Sequence, residues 1–271
     1  MFGRAFGQTE SCRGQEVRIL DENESPERPL RQISARALPV RAASGMKRSG
    51  AARRIVNRLL LLPVIALALL VSLALVYSAL TPPSTLMLGR WLTLRPVDRQ
   101  AIALDAISPH LVQAVIASED QRYCLHDGVD WGALRDVVDD EEGPSRGAST
   151  IPMQTVKNVF LWPGRSVIRK ALEIPLALIA DTLWGKRRTL EIYLNIAEWG
   201  EGVFGAEAAA QRWFGKSARA LTRGEAALLA AVLPNPILRN PAMPSRGVRA
   251  QAARIQARMN GVSGLMGCLK R

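Results

Sequence analysis

The chain has 271 residues, enough for one sizeable domain with appendages, and 48% of them are apolar, which excludes a wholly disordered polymer. Its formal net charge of +12 calls for an anionic surface or ligand. Three cysteines and two histidines exclude a disulfide-rich scaffold and offer no zinc-type Cys/His spacing.

Residues 1–45 are rich in Arg, Glu and Ser, lack periodicity and read as disordered. Met46-Lys47-Arg48 resembles the natural start of a short basic leader, which would make the first 45 residues a mis-assigned start. Leu59 to Leu80 carry no charge over 22 positions. A helix of that length reaches roughly 33 Å, enough to cross a hydrocarbon core. Pro63 is tolerable near the start of such a span. A cleaved signal peptide is disfavoured, because its apolar region would be shorter and followed by a small-residue cleavage site.

Lys47, Arg48, Arg53, Arg54 and Arg58 precede the span, so the positive-inside rule places residues 1–58 in the cytoplasm. Residues from about 81 onward then lie outside the cytoplasm. The cytoplasmic tail holds 12 Lys/Arg and 6 Asp/Glu, which leaves 24 and 18 for the rest. The exported part is therefore basic in its own right. An exported domain rarely meets nucleic acid, so anionic lipid head groups or a diphosphate-bearing ligand are the expected partners. Cys12 falls on the cytoplasmic side, so only Cys124 and Cys268 share a compartment after export. With nothing in the sequence to bring them together, they read as two unpaired thiols.

Residues 81–90, beginning Thr81-Pro82-Pro83-Ser84, read as a linker, 91–262 as the exported domain and 263–271 as a C-terminal tail. Ser108-Pro109 supplies an N-cap with proline at the first helical position, and Leu111, Val112, Val115 and Ile116 an apolar face. Residues 139–147 form a charged, breaker-rich loop. Helices are expected over 169–183, where Pro175 invites a kink, over 188–197, and near 248–259. Thr222 and Glu225 have capping-box spacing ahead of an apolar run that Pro234 and Pro236 stop. No run of alternating strands and no internal repeat occurs, so the domain is expected to be all-α or nearly so.

Four polar islands interrupt these helices. In the first, Glu119 follows an apolar helix face; partial burial would raise its pKa towards that of a general base. A solvated helix-end acid is the plainer reading. Asp120 reads as a cap or turn former, and His126 as a packed, hydrogen-bonded residue before the Gly128 turn. The second island, Gly147 to Asn158, combines small residues with Gln154, Lys157 and Asn158 on one helix side; a solvated face explains it equally well. In the third, Lys157 and Arg165 suit a diphosphate, while Arg169 and Glu173 have the spacing of a surface ion pair. The fourth, Lys186 to Asn195, places Leu190, Tyr193 and Leu194 as core. The glycines of residues 200–214 read as tight helix packing rather than a phosphate loop.

Taken in order, the islands resemble the motifs of the monofunctional peptidoglycan glycosyltransferases of glycosyltransferase family 51, over residues from about 91 to 260. The family's Glu-Asp-x-x-Phe/Tyr-x-x-His-x-Gly is met by Glu119, Asp120, Tyr123, His126 and Gly128. Its Gly-Gly-Ser-Thr-Ile-x-Gln-Gln, followed by Lys-Asn, falls on Gly147 to Asn158, with Ala148 for a glycine and Met153 for a glutamine. Arg-Lys-x-x-Glu is met by Arg169, Lys170 and Glu173, and Glu-x-Tyr-Leu-Asn by Glu191, Tyr193, Leu194 and Asn195.

The resemblance implies a lysozyme-like fold with a large helical head and a small, membrane-dipping jaw, placed here at about residues 131–185. It implies polymerisation of lipid II, a disaccharide-peptide on undecaprenyl diphosphate, into glycan strands with inversion at the donor sugar. Glu119 would be the general base on the acceptor GlcNAc 4-hydroxyl and Glu173 the second essential acid. Lys157, Arg165, Arg169 and Lys170 would hold the diphosphate. Ser149, Thr150, Gln154 and Asn158 would line the donor pocket, and Asp120 and His126 would shape the site. Phe160, Leu161 and Trp162 are candidates for lipid contact, with ordinary core packing as the alternative.

Mg²⁺ or Mn²⁺ assisting the diphosphate is an expectation without a metal-ligand motif behind it. Penicillin-binding proteins or division machinery are expected protein partners. No Ser-x-x-Lys occurs in the exported region, so no transpeptidase activity is expected. A lytic, lysozyme-type hydrolase and an inactive membrane-anchored scaffold are the competing readings. The first needs a second carboxylate across the scissile bond. The second rests on Ala148 and Met153, neither of which touches Glu119 or Lys157.

Overall fold

The structure, a computed structural model, describes residues 50–139, 147–164 and 166–270. The expectations for residues 1–45, for Met46, for most of the 139–147 loop and for Arg165 fall outside that set. The chain divides into residues 1–53 and 54–271, and the second unit holds the fold described below.

Helix α1 (Gly50–Ala79) is mostly exposed, and its residues 54–79 are long and apolar enough to cross a membrane. Pro63 lies well inside it rather than near its first turn. One such helix is compatible with a single-pass anchor. At its C-terminal end α1 is tied to the domain: Trp184 Nε1 donates to the Ala74 carbonyl at 2.8 Å, and Arg188 Nε to that of Tyr77 at 3.1 Å.

The stretch read as a linker folds. Ser84 caps α2 (Thr85–Leu92) by accepting from the Met87 N–H, and Met87 is fully buried. The two prolines delay the helix start rather than abolish it. After strand β1 (Asp98–Arg99), Ser108 caps α3 (Pro109–Glu119), whose apolar face is buried as the periodicity demands. Next come α4 (Trp131–Val138), capped by Asp130, and α5 (Ile151–Phe160), capped by Thr150. Helix α6 (Val167–Ile196) stays helical through Pro175 and breaks instead at Gly185 (φ 65°, ψ 172°), so residues 167–184 and 186–196 run as two helices. Only glycine adopts that φ without strain.

Strands β2 (Glu198–Gly200) and β3 (Val203–Phe204) complete a three-stranded sheet of order β1-β3-β2, parallel for β1 and β3 and antiparallel for β2 and β3. This sheet is why the fold is nearly, rather than wholly, helical. Helices α7 (Ala206–Phe214), α8 (Arg223–Val232) and α9 (Arg246–Ser263) follow, and the Thr222/Glu225 capping box forms. Gly205 precedes α7 at φ 89°, and a Cβ there would lie 3.0 Å from the Asn195 carbonyl oxygen. The glycine thus serves tight packing, as expected.

The core has two lobes. The larger, built from α3, residues 190–197, α7, α8 and α9, is the head. Its alanine-rich faces (Ala208 to Ala210 and Ala226 to Ala231) let helices approach closely. The smaller joins α5 and residues 176–184 to Met87 and Val129 and corresponds to the jaw. Together they give the mostly helical, two-lobed architecture expected for a lysozyme-like transferase.

Three expectations are corrected. Cys124 and Cys268 form a disulfide with Cα atoms 5.6 Å apart, because folding brings together positions separated by 144 residues. The residues after α9 are not a loose tail: Leu269 is buried, and its carbonyl accepts from Arg187 Nη1 at 3.0 Å. Of the three lipid-contact candidates only Trp162 is exposed. Leu161 is buried, and the Phe160 ring packs 6.1 Å from those of both Tyr77 and Trp184. Val167, Ile168 and Leu172, further along the chain, are also exposed apolar side chains.

Candidate active site

The end of α3 places Glu119 between the two lobes. Its Oε2 accepts from Gln154 Nε2 at 3.1 Å and its Oε1 from Ser118 Oγ at 3.0 Å. Tyr193 OH in turn donates to Gln154 Oε1 at 3.2 Å, so a side chain read as core also orients the amide that holds Glu119. Burial pushes the Glu119 carboxyl above the usual carboxylate range, opposed by the Gln154 and Ser118 hydrogen bonds and the Lys157 charge. A solvated helix-end acid would show none of this.

The turn after Glu119 is shaped by its own motif residues. Asp120 ends α3, accepts from the Ile151 N–H at 2.9 Å and meets His126 Nε2 at 3.0 Å. It thus fastens the turn to the start of α5. Tyr123 OH donates to the Lys186 carbonyl at 2.6 Å, and Lys186 Nζ returns a bond to the His126 carbonyl and pairs with Asp181 at 2.9 Å. Thr150 Oγ1 donates to the Gly128 carbonyl at 2.6 Å. Gly128 (φ 77°) passes so close to α6 that a Cβ would lie 2.7 Å from the Ala177 oxygen. Asp120 and His126 are thus engaged with each other and with the backbone around the turn.

Two cavities flank this arrangement. One of about 420 Å³ is lined by Glu119, Gln121, Arg122, Asp136, Ser149 and Arg258. The other, about 390 Å³, is lined by Thr85, Lys157, Asn158, Trp162 and Arg169. Burial lowers the Lys157 ammonium, while Glu173 and Glu119 draw it back up and Arg169 and Lys170 push it down. Lys157 thus feels the carboxylates of both sites. Arg169 and Glu173 form a buried pair rather than the surface pair their spacing suggested, and only 3% of the Glu173 side chain is exposed. Lys170 Nζ joins them, 3.0 Å from Glu173 Oε2 and 2.7 Å from Ser149 Oγ.

Of the expected set, Glu119, Asp120, Ser149 and Thr150 line the first cavity, and Lys157, Asn158 and Arg169 the second. Gln154 bonds to Glu119, and Glu173 holds Arg169 and Lys170. Met153 points into the jaw core and is fully buried, so replacing a glutamine there removes no cavity group. Ala148 lines the first cavity, half-buried. Ser118, Arg258 and the Asp181–Lys186 pair were missed. Only the basic Lys186-Arg187-Arg188 run hinted at any of them.

Two of the acids near these cavities already have partners. Glu173 is already engaged by Arg169 and Lys170, Asp120 by His126 and the Ile151 N–H, and among the described residues no three His, Cys, Asp or Glu side chains converge.

The transglycosylase family profile matches residues 87–260. The chain is 56% identical over 190 residues to the biosynthetic peptidoglycan transglycosylase of Rhizobium meliloti (strain 1021), covering 69% of this chain and 80% of that protein. It is 49% identical over 220 residues to that of Agrobacterium fabrum, covering 80% and 96%. For that of Brucella suis biovar 1 the values are 51% over 221 residues, 80% and 98%.

Proposed function

The chain belongs to the transglycosylase family and is a peptidoglycan glycosyltransferase; from that premise we propose that it polymerises lipid II with Glu119 as the general base. The observation that carries this reading is a half-buried carboxylate, raised by desolvation and held by Gln154 and Ser118, that lines a polar cleft and feels the charge of Lys157, which lines a cationic cavity.

The acceptor occupies the cleft lined by Glu119, and the donor's diphosphate occupies the cavity lined by Lys157 and Arg169. Glu119 takes the proton from the acceptor GlcNAc 4-hydroxyl. That oxygen attacks the anomeric carbon of the donor MurNAc from the face opposite the diphosphate, so α becomes β. Undecaprenyl diphosphate leaves with the bonding electron pair, and fixed cations stabilise the developing charge without a proton donor. Lys157 is the cation shared by both sites, and Arg165 would join it. Glu173 acts through Arg169 and Lys170, which it neutralises and orients. Ser149 steers the Lys170 ammonium, Thr150 closes the turn against Gly128, and Asn158 borders the leaving group. An Mg²⁺ or Mn²⁺ ion carried in by the diphosphate is tested by running the assay with and without it.

A lytic hydrolase is less well supported. It would need a free carboxylate across the bond, and both Asp120 and Glu173 are engaged by their partners. The basic flank of α1 favours a cytoplasmic N-terminus and a catalytic domain outside the inner membrane. There the enzyme would supply strands to penicillin-binding proteins or the division machinery.

The test is incubation with labelled lipid II and, separately, with finished glycan. Strand growth from lipid II is expected. Cleavage of glycan without strand growth would overturn the reading.

A further inference from the structure

The Cys124–Cys268 disulfide joins the two chain segments that flank the catalytic cleft. Cys124 lies five residues beyond Glu119, in the short turn Tyr123–Leu125. Cys268 lies just beyond α9, in the turn Gly267–Leu269, and α9 packs against α3 and carries Arg258 into the same cleft as Glu119. The hydrogen bonds that leave the catalytic turn run elsewhere: Asp120 to Ile151, Tyr123 and His126 to Lys186, and Gly128 to Thr150. They fasten the turn to α5 and α6. Its covalent tie to the α9 side is the disulfide, with both cysteines half-buried against the head core, where Tyr123 also packs.

We propose that Cys124 and Cys268 are positioning residues of the transferase: their disulfide fixes the Glu119-bearing end of α3 against the α9 wall, and full turnover requires the oxidised form. This rests on the reading of Glu119 as the base. Reduction separates the sulfurs. A phosphine such as TCEP supplies two electrons, water supplies the two protons and the phosphine keeps the oxygen, giving two thiols and a phosphine oxide. The turn then keeps its α5 and α6 ties and its packing in the head core, but loses its covalent link to the α9 side. Misplacing a catalytic group by about 1 Å can cost on the order of 10²-fold, and loosening on one side is expected to lower kcat about 5- to 50-fold. The cavity with Lys157, Asn158 and Arg169 lies on the other side, so KM for the donor should change by less than about twofold.

A merely stabilising crosslink would leave the pH profile alone; a positioning one moves it. Glu119 faces Lys157 and Gln154 from α5, Tyr193 from α6, Ser118 and Asp120 from α3, and Arg258 borders its cleft from α9. Burial is what raises its carboxyl, so admitting water beside it lowers the acid limb of kcat towards the ordinary carboxylate range.

The experiment measures lipid II polymerisation by the full-length protein in detergent, oxidised, TCEP-reduced, and as Cys124→Ser and Cys268→Ser, with thiol titration and circular dichroism alongside. Expected are a reduced kcat, an unchanged KM and a downshifted acid limb in all three altered forms, no TCEP effect on Cys268→Ser, and recovery when the parent is re-oxidised. Equal kcat and an identical acid limb in oxidised and reduced parent would overturn the inference, even if the melting temperature fell. An oxidised parent that fails to polymerise lipid II would instead overturn the assigned activity, and this inference with it.

Discussion

Replacing Glu119 by glutamine should move activity and stability in opposite directions. The carboxylate accepts hydrogen bonds at 3.1 and 3.0 Å, from Gln154 and Ser118. A glutamine of the same shape keeps the bond from Gln154 through its carbonyl and offers its amide to the Ser118 oxygen. The hydrogen-bond change is therefore small, within about 1 kcal/mol. What disappears is a half-buried negative charge and the group proposed to take the acceptor proton. General-base loss costs about 10²–10⁴-fold in rate, or about 3–5 kcal/mol of transition-state stabilisation. For stability the sign follows from the raised carboxyl. Between its unfolded and folded values the native state binds the proton more tightly, so stability falls as pH rises through that window. The cost is complete above the folded value and absent below the unfolded one. At neutral pH, Glu119→Gln should then unfold at a higher temperature than the parent, with the difference vanishing near pH 4. Steady-state polymerisation with labelled lipid II and thermal unfolding at both pH values measure the two effects. Polymerisation at the parental rate refutes the base assignment; a lower melting temperature at neutral pH refutes the claim that the carboxylate is held at a cost.

Other perturbations separate the remaining roles. The parent's kcat should fall on its acid side at a pH above the ordinary carboxylate range, and that limb should be missing from the residual activity of Glu119→Gln. Lys157→Met should lower kcat about 10²–10³-fold while leaving the fold intact by circular dichroism, because it removes a cation that stabilises the leaving diphosphate. Glu173→Ala strands Arg169 in a buried site and should destabilise by about 3–5 kcal/mol in chemical denaturation; adding Arg169→Met should recover much of that loss. Gly128→Ala adds a Cβ 2.7 Å from the Ala177 oxygen at φ 77°, and should cost at least about 1–3 kcal/mol with a matching loss of turnover.

Local rules made much of this molecule readable in one dimension. The apolar run after Arg58, the Ser108-Pro109 cap, the Thr222/Glu225 box and the alternation of apolar and polar positions depend on neighbours three or four residues away, and they emerged as helices α1, α3 and α8. The polar islands were legible for the same reason: residue type and spacing survive folding. The site's energetics were not. Arg169 and Glu173 have the spacing of an ordinary surface pair, and only the packing of α5 against α6 buries them. Nothing near Glu119 in the sequence announces that Gln154 and, behind it, Tyr193 will hold its carboxylate. Pairing across 144 residues is invisible to any local pattern, so two cysteines that looked free turned out to be bonded to each other. The sequence by itself determined the long apolar helix, the helical class and the identity of the chemical groups. The tertiary structure alone decided which were dry, which were paired and which faced each other, because burial and distance are properties of the packed chain and set the electrostatics on which catalysis depends.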